Sequence, residues 1–379
     1  MLNSTFDMSK TGFEISLYLT GLMTLWLGIM KVGEKGGVIA ILSKIVEPFF
    51  RRLFPEIPRD HPATGSMIMN FSANLLGLDN AATPLGLKTM KEMQELNPNK
   101  DTASNAQIMF LVLNTSGLSI IPLTILLDRS IMGAANPTDV FIPIMLATFF
   151  STIVGLITVS IIQKINLFDK VILAYLGSIT VFMLGVIYYF STLTPAEISK
   201  VSTFASSFII FTIIILFLGL AVIKKINVYE TFIEGAKEGF EISIKIIPYL
   251  VAMLVGIGVF RSSGAFDFLT DGIRFLIAFL GLDTRFVDAL PTAFMKPLSG
   301  SAAKAMNLEI MHVDNFGADS FVGRLSSIFR GATETTFYIV AVYFGSVNIK
   351  KTRYAITAGL IADLAGIIAA IFIGYLFFG

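Results

Sequence analysis

Cysteine is absent from the 379 residues. That excludes disulfides, thiol catalysis, iron–sulfur clusters and cysteine-ligated zinc. Charge is also scarce: Asp, Glu, Lys and Arg make up 15% of the chain, against roughly 25% in soluble domains. The net charge of +1 favours neither nucleic acid nor an acidic partner. The two histidines, His61 and His312, fall at the rims of apolar runs, where a capping or surface role outweighs a ligand role. No basic cluster, apolar core and small-residue cleavage site open the chain, so no signal peptide is expected. The motifs of zinc peptidases, serine hydrolases and phosphate-binding loops are missing. No enzyme activity, catalytic residue, cofactor or metal site is therefore expected, and any activity must lie in or at the rim of the apolar part.

What is present is apolar. Hydrophobic residues make up 54% of the chain, and the mean hydropathy is +0.77. Runs at 14–30, 106–127, 140–162, 171–190, 204–223, 243–260 and 354–378 are near the ~20 residues that cross a bilayer as a helix. They do not alternate as barrel strands would. The fold class that follows is an all-α integral membrane protein with the lipid bilayer as a partner.

One stretch breaks the pattern. From Met67 to Leu87, Asn70, Ser72, Asn74, Asp79, Asn80 and Thr83 stand among leucines and alanines, with Gly77 and Pro84 as helix breakers. Amides and a carboxylate are costly in hydrocarbon unless they face a partner or a wet cavity. An amphipathic helix near 37–53 precedes this segment, and a polar connector, Lys88 to Thr102, follows it. The run at 106–127 is itself interrupted, at Asn114-Thr115-Ser116-Gly117 and Pro122.

The order then repeats. Gly12-Phe-Glu-Ile-Ser recurs as Gly239-Phe-Glu-Ile-Ser, an offset of 239 − 12 = 227. An apolar run, an amphipathic stretch near 265–280, a broken polar segment (Lys296-Pro-Leu-Ser-Gly-Ser301), a run interrupted at Gly331–Thr336 and a clean final run follow in turn. Matched broken segments in two halves are the mark of repeat-built transporters. The expected division is 12–163 for the first repeat, 164–226 for a two-span linker and 227–379 for the second repeat. Placing Lys31–Asp60 in the cytoplasm brings Lys88, Lys91, Lys100, Lys164, Lys170, Lys224, Lys225 and the 348–353 loop to the same side. This gives the repeats inverted topology, with Arg261 and Arg285 as exceptions.

Four polar clusters fall where the repeat requires them. They supply the expected substrate-binding residues: Asn70, Asn74, Asp79, Asn80 and Thr83; Asn114, Thr115 and Ser116; Lys296, Ser299 and Ser301; Thr333, Glu334 and Thr335. Helix breaks expose N–H groups at one end and carbonyls at the other, and the side chains add neutral hydrogen bonds. Glu334 or Asp79 would take a coupling Na+ or H+ or a cationic group of the solute, and Lys296 an anionic group. The competing reading is interhelical hydrogen bonding, or an ion pair of Glu334 with Arg330, Lys296 or Lys304.

The motifs resemble the spore maturation A and B proteins, joined in one chain. Arg51–Pro62, Asn70–Lys88 and Asn97–Asn105 look like the A type; Val228–Phe240, Lys296–Ser301, Asp319–Arg324 and Thr333–Ser346 look like the B type. The resemblance implies membership of the nucleoside-recognition, or Gate, superfamily, which includes concentrative nucleoside transporters and the pore part of ferrous iron transporters. It implies a multi-pass protein of the bacterial inner membrane with re-entrant elements, and it supplies no substrate. Iron would require Cys, Met or His near the site, and only Met67 and Met69 qualify. The function expected is a transporter or channel for a small polar solute, nucleoside-, amino-acid- or carboxylate-like. The alternatives are a membrane scaffold in envelope or spore-cortex maturation and, third, an intramembrane hydrolase using Ser299 or Ser301 with Lys304. Oligomeric state is left open, with a homo-oligomer among the options.

Overall fold

The computed structural model describes residues 2–58, 60–77, 79–118, 121–262 and 265–379. The first half starts with a long helix α1 (Leu2–Gly36) and an amphipathic α2 (Val38–Leu53). A hairpin of α3 (Pro62–Leu75) and α4 (Asp79–Leu96) follows, then α5 (Asn105–Thr115) and α6 (Leu123–Ile131) either side of a gap, and α7 (Phe141–Gln163). Two helices, α8 (Lys170–Ser191) and α9 (Pro195–Ile223), lead to the second half. There α10 (Val228–Ser262) and α11 (Ala265–Phe279) precede a hairpin of α12 (Leu290–Leu298) and α13 (Gly300–Met311). The gapped pair α14 (Phe321–Ala332) and α15 (Thr336–Ser346) and a final α16 (Ala355–Phe378) complete it. The two halves match element for element.

Length decides which helices cross. α7, α8, α16 and the apolar parts of α1 and α9 are long enough. The 14 residues of α3 and 12 of α13 span about 21 and about 18 Å at ~1.5 Å per residue, short of a ~30 Å hydrocarbon core. Both hairpins are therefore re-entrant. The gapped pairs α5–α6 and α14–α15 cross as two half-helices each.

Ionic links show which loops share an end. At the basic end, Lys35 pairs with Glu234 and Lys31 with Glu238 at 3.1 Å, joining the end of α1 to the start of α10. Lys351 pairs with Asp101 at 3.0 Å, and Arg52 with Asp169 at 3.8 Å. The Thr102 hydroxyl and Lys351 hold the Asp101 carboxyl below the usual carboxylate range. At the opposite end, buried Arg129 contacts Asp139 at 2.9 Å and Asp319 at 3.4 Å, while Arg324 reaches Asp139 at 2.7 Å. The loops that charge assigned to one side are together, and the repeats are inverted.

The inversion makes each core helix pack antiparallel to its own counterpart. α1 lies along α10, with Gly235 and Gly239 seated on the Leu27 and Met23 carbonyls and Gly12 on Val251. α7 lies along α16, with Gly155 against Ala362 and Ser151 donating to the Ala362 carbonyl at 2.9 Å. α8 and α9 are little buried and carry exposed Phe182, Tyr188, Phe204, Phe208 and Phe211, a surface suited to lipid. The two largest apolar cores among the described residues lie around Phe50, Met90, Phe110 and Phe344 and around Phe141, Leu325 and Phe329.

Two expectations need correcting. The connector starts at Asn97 because α4 continues through Lys88–Leu96. Pro84 lies inside α4 and does not end it. At the sixth residue of the helix, proline removes one backbone hydrogen bond without ending it, and the interruption falls instead at Leu76–Gly77, where Gly77 has φ +69°.

Candidate functional site

The helix gaps of both repeats open on one cavity of about 600 Å³. Asn74 from the α3–α4 hairpin, Thr83 from α4 and Asn114 from α5 form the side built by the first repeat. Ser299 and Ser301 from the α12–α13 hairpin, with Glu334 and Thr335 from the α14–α15 gap, form the side built by the second. Seven of the expected residues thus share one wall. The volume is typical of small-molecule sites, roughly 300–1,000 Å³.

An amide network fixes the first side. Asn74 Nδ2 donates to Asn114 Oδ1 at 2.7 Å and to Asn70 Oδ1 at 3.3 Å. Asn70, fully buried, donates to the Ala82 carbonyl at 2.7 Å and ties the two arms of the hairpin. Tyr343 closes the ring by donating to Asn114 Oδ1 at 3.2 Å. Both amide hydrogens of Asn74 are engaged, which leaves its oxygen as an acceptor toward the cavity. Tyr343 fits because Gly86 of α4 has no Cβ, whose place the hydroxyl takes.

The second side is built on helix N-termini. Ser299 caps α13 and accepts from the Ala302 N–H at 3.2 Å. Thr335 sits at the start of α15 with no side-chain cap bond. Such ends carry unpaired N–H groups and partial positive charge. Glu334 is half exposed, facing the cavity, and pairs with the largely buried Lys296 at 3.5 Å. Its N–H donates to the Thr115 carbonyl at 2.8 Å, so the two gaps touch. Gly117, at φ +60°, leaves the space that Glu334 occupies.

The other expected residues whose side chains are described do not line the cavity. Thr115 and Ser116 are buried, and their hydroxyls donate to Val112 and Leu113 carbonyls of their own turn. Thr333 is buried against Gly366. The side chains of Asp79 and Asn80 lie outside the described residues. Arg330 and Lys304 do not partner Glu334: both bind Asp128, fully buried on α6, with Lys304 at 3.2 Å. Lys304 is thereby paired with Asp128.

Two residues of the region were not expected from sequence. Tyr343 hides in an apolar run, where it reads as a packing aromatic. Asp363 is buried in α16 and accepts from Thr336 at 2.7 Å. A lone acid in the last apolar run was its signal.

The sequence matches the family model "Gate: Nucleoside recognition" over residues 16–127 and 243–350. The second stretch begins 243 − 16 = 227 residues after the first, the spacing of the repeated pentapeptide. The chain is 49% identical to "Spore maturation protein B" of Bacillus subtilis (strain 168), over 41% of this chain and 85% of that protein. It is 43% identical to "Spore maturation protein A" of the same organism, over 41% of this chain and 79% of that protein. No solved structure matches.

Proposed function

The chain belongs to the nucleoside recognition (Gate) family of multi-pass bacterial membrane proteins, and on that premise we propose that it moves a small polar solute across the inner membrane. The observation that carries this reading is the shared cavity. Amides, hydroxyls, a carboxylate and two helix N-termini from both repeats face one space where the half-helices meet. Nucleoside-, amino-acid- and carboxylate-like solutes all suit that mixture of neutral donors and acceptors with one carboxylate–ammonium pair. The proposed boundaries are 12–163 and 227–379 for the repeats, with 164–226 as linker, and the basic end in the cytoplasm. Alternating access would rock one repeat against the other around the cavity. A scaffold would have no use for polar groups gathered around a solvent-sized space.

The test is a thermal-shift screen of the purified protein against polar metabolites, with and without sodium and at two pH values. A bound solute stabilises by about 2.7 kcal/mol at 100 times its Kd. One compound class should raise the melting temperature of the wild type and fail to do so in Asn74→Ala and Glu334→Gln. A hit untouched by both substitutions would refute the site.

A further inference from the structure

Asp363 lies midway along α16 and is 2% exposed. Its Oδ2 accepts from Thr336 Oγ1 at 2.7 Å, and its Oδ1 meets no hydrogen-bond donor among the described residues. The surroundings belong to the helix gaps. On the same helix, Gly359 and Gly366 bring α16 so close that an added Cβ would press on Thr336 at the first and on Thr333 and the Ala332 carbonyl at the second. α12 and α15 both pack on α16, and among the described residues this brings the charges of Lys296 and Glu334 close enough to act on Asp363. From α5 and α7 come the uncharged Thr115 and Ser151. On α14, Arg330 is engaged by Asp128, and α8 and α9 carry acids and lysines only at their ends.

A carboxylate served only by the neutral hydroxyls of Thr336 and Thr333 is costly at membrane depth unless a cation matches it or a proton neutralises it. Lys296 is already matched, at 3.5 Å, by Glu334. Among the described residues no group of three or more His, Cys, Asp or Glu side chains gathers to hold a metal ion, whereas a proton needs only the carboxyl itself.

We propose that Asp363 carries an exchangeable proton and trades it for the charge of Lys296. The proton passes from the Asp363 carboxyl to Glu334 while the ammonium turns from Glu334 to Asp363. One O–H bond breaks and one forms, and the three groups sum to zero charge before and after. Glu334 faces the cavity and from there exchanges the proton with water. The link to solute movement rests on the solute-cavity reading; the proton exchange itself does not.

Infrared spectroscopy of the purified protein tests this without any solute, so a failed metabolite screen and a failed proton site are told apart. At neutral pH the wild type should show a protonated-carboxyl C=O band that Asp363→Asn abolishes and Thr336→Val shifts. Glu334→Gln imitates the protonated glutamate and frees Lys296, so the Asp363 band should weaken several-fold at the same pH. Adding Lys296→Met to that variant should restore it. If Asp363→Asn does not fold, the shift in Thr336→Val assigns the band. Three results would each overturn the proposal: no band assignable to Asp363, a band indifferent to Glu334→Gln, or a band lost when sodium chloride replaces an organic-cation chloride.

Discussion

The buried charges fall into two kinds. Asp128 is fully enclosed and holds Arg330 and Lys304, joining α6 of one repeat to α13 and α14 of the other. Removing one member of a buried ionic group strands the others, at a cost of about 3–5 kcal/mol. Asp128→Asn should therefore lower stability by that order, read as a large drop in melting temperature in detergent, whether or not solute is present. The Lys296–Glu334 pair is different, because Glu334 is half exposed to the cavity. Sequence made Asn74, Asn114 and Glu334 visible because a polar side chain in an apolar run stands out. It could not tell which cation goes to which acid, since Arg330, Lys304 and Lys296 all fall in the same repeat as Glu334. Asp363 was passed over for a related reason: one acid in a mostly apolar helix of 24 residues does not reveal whether it faces lipid, a partner or a gap.

At the scale of elements, the breaks were legible and their exact extent was not. Asn114–Gly117 and Gly331–Thr336 each mark a half-helix junction, because hydroxyl residues and glycine cluster there. Pro84 misled, since α4 continues past it with the loss of one backbone hydrogen bond. What no single helix discloses is its neighbour. Gly235 and Gly239 are unremarkable in α10 until α1 is laid over them with its carbonyls where a Cβ would be. Close approach at small residues is how membrane helices gain packing contact. Gly239→Val should force α1 from α10 and destabilise by about 1–3 kcal/mol, the usual range for overpacking. Gly177→Val, on α8 where nothing lies within reach, should stay within about 0.5 kcal/mol. Thermal unfolding of the two variants side by side checks the contrast, and equal effects would mean that α1 and α10 do not meet there.

The whole molecule is two copies of one plan set in opposite senses. The repeated pentapeptide and the charge of the loops predicted that arrangement, and the ionic links at the two ends agree with it. Because each copy supplies a re-entrant hairpin and a gapped helix, the polar gaps meet in the middle, between two apolar cores. The central claim is that this meeting place is one wet site built by both repeats. The chain lacks cysteine, so single cysteines can report on it. Thr83→Cys in α4 and Ser301→Cys in α13 should both react with a small charged thiosulfonate in membranes, and the compound found by thermal shift should protect both. An unreactive position, or protection of one cysteine without the other, would contradict a site shared by the two repeats.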